Sequence, residues 1–168
     1  MFTQANSVHS FDSPTFALSS QKASKENHRF FVGTCSLHDS NKIHLIEYQE
    51  DINSIQEVAV YDHKNQVFSI ESSSHDECLL LTSWLSKTNK RGVTLYRTLH
   101  RDSLTDEMQR DNYNNDIKSL DTIADLDVSS DDIINVKWHN TKDRLLTGTS
   151  DQLSAWSIVE SDVKVMSF

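Results

Sequence analysis

Short apolar runs with a two-residue repeat dominate the chain and leave little room for helix. In Ile43-His44-Leu45-Ile46-Glu47-Tyr48, the side chains of His44, Ile46 and Tyr48 share one face. Similar runs are Arg29–Thr34, Val67–Ile70, Cys78–Thr82, Val93–Tyr96, Ile133–Trp138, Arg144–Thr147 and Leu153–Trp156. Each is bounded by Ser, Asn, Asp, Gly or Lys clusters, the pattern of many short antiparallel strands. Ser54–Tyr61 could pass for a helix, but its alternation from Glu57 to Tyr61 suits a strand as well. Leu104–Met108 could form a helical turn, and little more helix is expected.

The strands fall into sets. The last set runs from an apolar strand ending in Trp138, through Leu145-Leu146-Thr147-Gly148-Thr149-Ser150-Asp151, to a strand ending in Trp156. This is the order of strands and turns in a WD40 blade. Gly148 is expected to let neighbouring segments approach closely. Asp151 is expected to accept hydrogen bonds at its turn. Trp138 and Trp156 are expected to pack within or between blades, and Gly33 ends the matching strand of the first set. A second set is Val67–Ile70, Cys78–Thr82 and Val93–Tyr96; the first is Phe16–Leu18, Arg29–Thr34 and Ile43–Tyr48. Outer strands are expected near Glu57–Tyr61, Leu120–Leu126 and Val163–Phe168.

The fold class that follows is all-β: a WD40-type β-propeller of about three four-stranded antiparallel blades, an incomplete ring because propellers close with roughly 4–8 blades. Residues 1–13 are expected to be a flexible N-terminus and residues 14–168 the propeller. The blades fall at about 14–63, 64–128 and 129–168, with an acidic loop near 98–118.

Charge narrows the function classes. The 168 residues carry a formal net charge of −9, which disfavours a nucleic-acid or anionic-membrane surface. Residues 101–132 hold ten acids and three bases, so most of the acidity sits in one segment that reads as a solvated loop. Its other reading is a docking loop for a basic partner. Cys35 and Cys78 form no CxxC pair, no N-x-[ST] sequon occurs, and the start carries no signal-like apolar region. A cytoplasmic protein with no membrane insertion is expected.

Catalytic chemistry is not legible. No His pairs with a second His or a Cys at ligand spacing. His38-Asp39-Ser40 holds the residue types of a hydrolytic triad, but sequence adjacency is not triad geometry. Asp125-x-Asp127-x-Ser129-x-Asp131 has Ser130 where a calcium loop needs glycine and Val136 where it needs a bidentate Glu. The three glycines, Gly33, Gly92 and Gly148, cannot build a phosphate loop. No catalytic, cofactor-binding or metal-ligating residues are therefore expected. Trp84 is the candidate for partner contact: it follows a strand and suits a blade rim.

The run Arg29-Phe30-Phe31-Val32-Gly33-Thr34-Cys35-Ser36-Leu37, followed by Asn41-Lys42-Ile43-His44-Leu45-Ile46, resembles the opening blade of the EARP and GARP complex-interacting family of WD-repeat proteins. Val67-Phe68-Ser69-Ile70 is similar to the strand that follows there. Val136-Lys137-Trp138 and Leu153-Ser154-Ala155-Trp156 look like the next Trp-ending blade. The likeness covers Pro14 to Phe168, with residues 98–120 matching poorly. It implies a seven-bladed, non-enzymatic adaptor for the tethering complexes of endosomal recycling and endosome-to-Golgi transport. The implied partners are tethering-complex subunits, and the implied location is peripheral on endosomes and the trans-Golgi network. With about three blades, this chain is expected to be a portion of such a propeller. A substrate receptor of a cullin-type ubiquitin ligase is the alternative, but Trp156-Ser157-Ile158-Val159 lacks the Asp and Arg that such receptors carry after the Trp. A propeller hydrolase or lyase would need His, Asp or Glu converging at a ring centre. A non-functional truncated product is the remaining reading.

Overall fold

The computed structural model describes residues 7–98, 117–126, 128, 133–139, 144–159 and 162–166, and none of these is helical. Among the described residues, twelve strands form three sheets. The first sheet holds β1 (Thr15–Ser20), β2 (His28–Thr34), β3 (Asn41–Gln49) and β4 (Ser54–His63). The second holds β5 (Gln66–Ser72), β6 (Leu79–Leu85), β7 (Arg91–Thr98) and β8 (Leu120–Leu126). The third holds β9 (Ile133–Trp138), β10 (Arg144–Thr149), β11 (Leu153–Val159) and β12 (Asp162–Met166). Each sheet is an antiparallel meander in which sequence neighbours pair, and among the described residues the three are not closed into a ring. The ambiguous Ser54–Tyr61 stretch is strand β4. The helical turn expected at Leu104–Met108 lies outside the described residues.

Local chemistry explains the hairpins. Asn53 and Asn89 have φ of 48° and 63° in the β3–β4 and β6–β7 turns, a left-handed conformation that Asn tolerates. At the second turn the Ser86 hydroxyl accepts the Lys90 N–H at 3.0 Å, and Ser86 N–H donates to Lys90 O at 2.8 Å.

The core lies between sheets, as period-2 alternation requires. One cluster joins the first two sheets, with Phe31, Ile43, Val67 and Leu80 fully buried. Another joins the second and third, with Leu81, Val93, Leu95 and Leu145. Leu80 and Leu81 are adjacent on β6 and enter opposite clusters, so the second sheet is covered on both faces. Within the acidic 101–132 segment, Lys118 runs along the edge of β4. Its N–H donates to Val60 O at 2.8 Å, and its carbonyl accepts the Asp62 N–H at 2.9 Å.

Residues 7–14 form no strand, but the Phe11 ring packs on His44 of β3, with centroids 4.9 Å apart. His44 is also paired through Nδ1 with Glu57 at 2.6 Å.

Candidate functional site

An open cleft of about 810 Å³ lies where the first and second sheets meet. Three connections bring its residues together: the β2–β3 turn supplies Asp39, the β4–β5 link supplies Lys64 and Asn65, and the β6–β7 turn supplies Lys87 and Lys90. In successive antiparallel meanders these connections fall at the same end of the sheets. The lining carries three amino groups against the carboxylates of Asp39 and Asp62. The cleft is thus locally cationic in a chain of net charge −9.

Trp84 forms its apolar wall. The residue is half-buried within β6 rather than beyond it. Its Nε1–H donates to Thr94 Oγ1 at 2.8 Å, and the Thr94 hydroxyl donates onward to Asp125 at 2.6 Å. The only polar atom of the indole is therefore satisfied inside the sheet, and the ring is free to act as an apolar platform. Gly92, the cross-strand partner of Trp84, makes this seating possible: a Cβ there would collide with the indole.

His63 borders the cleft and is buried. Its Nδ1 donates to Asn65 O at 2.7 Å, and Nε2 faces the Thr82 hydroxyl at 3.4 Å. Desolvation by burial holds the imidazole below its ordinary pKa, while the Asn65 carbonyl and the Asp62 charge act in the opposite direction. A neutral, enclosed imidazole joins the two sheets and presents no charge to a ligand.

Neither thiol is activated. Burial pushes Cys35 up, and burial with the Asp76 charge pushes Cys78 up, the opposite of what a nucleophile needs. Among the described residues no group of three or more His, Cys, Asp or Glu is placed to hold a metal ion. No helix of the described residues is long and apolar enough to cross a membrane.

The other residues singled out in the sequence lie elsewhere. Trp156 is buried in the cluster between the second and third sheets, and its Nε1–H donates to Thr147 Oγ1 at 2.9 Å. Trp138 shares that cluster, and its Nε1 has no partner among the described residues. Asp151 is exposed and accepts the Thr149 hydroxyl at 2.9 Å. Gly33 is tightly covered: an added Cβ would lie 2.6 Å from Val67 Cγ1. Gly148 makes no such approach, its nearest prospective neighbour among the described residues being Asn135 O at 4.0 Å.

Sequence reasoning selected Trp84 but missed His63 and the three lysines. The polar links Asp62-His63-Lys64-Asn65 and Lys87-Thr88-Asn89-Lys90 are both lysine-containing connections at one end of the meanders, and strand order would have placed them side by side.

A family model described as the EIPR1 beta-propeller matches residues 2–165. An EARP-interacting protein homolog from Danio rerio is 25% identical over 154 residues, covering 88% of this chain and 40% of the relative. A protein of the same name from Gekko japonicus is 27% identical over 158 residues, covering 89% and 40%. The EARP and GARP complex-interacting protein 1 of Rattus norvegicus is 31% identical over 75 residues, covering 45% of this chain and 19% of the relative. The chain spans about 40% of the length of the first two relatives.

Proposed function

The chain belongs to the EIPR1 beta-propeller family, and from that premise we propose that it serves as a non-enzymatic WD-repeat adaptor that associates with the EARP and GARP complexes in vesicle tethering. The observation that carries this reading is the match across nearly the whole chain, joined to relatives whose names state such an interaction. The site is the cleft at Trp84, which offers an aromatic platform beside Lys64, Lys87 and Lys90. That chemistry suits an acidic, apolar-containing segment of a protein partner. The protein acts in the cytoplasm, peripherally on endosomes and the trans-Golgi network, without nucleic acid or membrane insertion. The domain division remains that of three blades, about 14–63, 64–128 and 129–168.

Affinity capture with the tagged 168-residue chain tests this. Recovery of EARP or GARP subunits is expected, reduced about tenfold by Lys87→Glu with Lys90→Glu. Recovery of a cullin ligase instead, or of no tether subunit, would overturn the adaptor reading. Recovery that the charge reversal leaves unchanged would overturn the assignment to the cleft.

A further inference from the structure

The cations of the cleft at Trp84 are Lys64, Lys87 and Lys90, and its described lining holds no arginine. All three lysines are exposed, and their ammonium groups are not spent on carboxylates. Several basic side chains elsewhere are: Lys22 and Lys137 meet on Glu71, Arg29 pairs with Glu47, and Arg97 pairs with Asp76. In the cleft, Lys87 Nζ lies 3.4 Å from the His38 carbonyl, and Lys64 and Lys90 make no side-chain bond among the described residues. Of the two carboxylates in the lining, Asp39 is engaged in its own turn, where it accepts the Ser36 hydroxyl at 3.1 Å.

The β6–β7 turn adds a neutral donor. Ser86 Oγ and Thr88 Oγ1 are 2.9 Å apart, and Ser86 Oγ also accepts the Lys90 N–H. One hydroxyl proton fits between the two oxygens, so the other is left for an outside acceptor beside Lys87 and Lys90. Lysine holds an anion as a point charge, without the planar fork that arginine offers to a carboxylate, so this set discriminates by charge number. A carboxylate brings one charge and two oxygens. A phosphate monoester brings about 1.5–2 charges at pH 7 and three oxygens, acceptors enough for three ammonium groups. Trp84 supplies a fixed apolar neighbour. Gly92 lies against the indole, and Nε1–H is held by Thr94, itself bonded to Asp125, so the ring is oriented before any ligand arrives.

We propose that the cleft takes a phosphorylated serine or threonine of a partner segment, with the phosphate among Lys64, Lys87 and Lys90 and a neighbouring apolar side chain on the Trp84 ring. The inference rests on the cleft being the partner site, and it identifies the acidic group of that partner as a phosphate. A phosphopeptide fits this cleft better than a phosphoinositide membrane does. A flat bilayer is met by protruding apolar side chains, whereas Trp84 is half-buried in the wall of a cleft, in a chain of net charge −9.

The test probes the tagged 168-residue chain with immobilised degenerate peptides whose central residue is fixed as phosphoserine, phosphothreonine, glutamate or serine. Retention on the two phosphorylated sets should exceed that on the glutamate set by about tenfold, and that on the serine set by more. Lys64→Gln combined with Lys87→Gln and Lys90→Gln should remove the preference, with circular dichroism verifying the fold. Equal retention on the phosphoserine and glutamate sets, retention that the lysine variant leaves unchanged, or no retention at all would each overturn the phosphate assignment. Binding to phosphatidylcholine vesicles carrying phosphoinositides in preference to the peptides would overturn it too. Capture of tether subunits is a separate readout. If it fails while phosphopeptides are retained, the adaptor reading falls and the phosphate site stands. If it succeeds equally from phosphatase-treated lysate, the phosphate site falls and the adaptor reading stands.

Discussion

Lys137 of β9 donates to Glu71 of β5 at 3.2 Å, across the junction between the second and third sheets. The same carboxylate pairs with Lys22, which follows β1 in the first sheet. The Glu71 side chain is only 4% exposed, while both lysines reach it from more open positions. One buried carboxylate thus ties three consecutive sheets. Beside it, the Ser72 hydroxyl donates to Ser20 O at 2.6 Å and accepts the Lys22 N–H at 3.0 Å. Glu71→Ala should lower stability by about 1–3 kcal/mol, towards the lower end because the lysines are partly solvated. Chemical denaturation measures this. An unchanged midpoint would show that the bridge contributes nothing net.

Gly33→Ala should destabilise the junction of the first two sheets by about 1–3 kcal/mol, because its methyl would overlap Val67. Val67→Ala in the same chain should recover part of that loss, since the two sites are in contact. Gly148→Ala should leave the melting temperature within error, because a Cβ there meets nothing closer than 4.0 Å among the described residues. Equal losses at the two glycines would contradict the difference in their surroundings.

Trp156→Ala should cost about 3–5 kcal/mol, the usual range for truncating a buried aromatic. Thr147→Val keeps the shape but leaves the buried indole N–H unpaired, and should cost about 1–3 kcal/mol. Thermal melts of both variants provide the measurement, and a Trp156→Ala change within error would be incompatible with its burial.

His63 makes stability depend on pH in one direction. Burial lowers its pKa in the folded chain, so the unfolded chain takes up a proton first as the pH falls below about 6.5. Its contribution to stability is whole above that value and is lost as the pH falls towards the folded pKa. His63→Gln should therefore flatten the fall in melting temperature between about pH 7 and pH 5. An identical slope in wild type and variant would show that the imidazole titrates alike in both states.

Strand existence, strand order and the four-strand grouping were legible in the residues, because alternation of apolar and polar side chains and Asn-containing turns act over a few positions. β8 follows the expected Leu120–Leu126 run, and β4 shows the alternation that competed with a helical reading. The Trp-bearing third set marked Trp156 as a packing residue for the same local reason. The tertiary structure alone decided what each face meets. Gly33 and Gly148 stand at one register position in similar Val-Gly-Thr and Thr-Gly-Thr runs, yet only Gly33 is covered, because only its face has a neighbouring sheet among the described residues. Glu71 reads as an ordinary strand acid until β1, β5 and β9 are brought side by side. The cleft likewise joins residues from Asp39 to Lys90 that share no local pattern. Periodicity assigns a side chain to a face, but the partner of that face is set by packing between segments tens of residues apart, which no local repeat encodes.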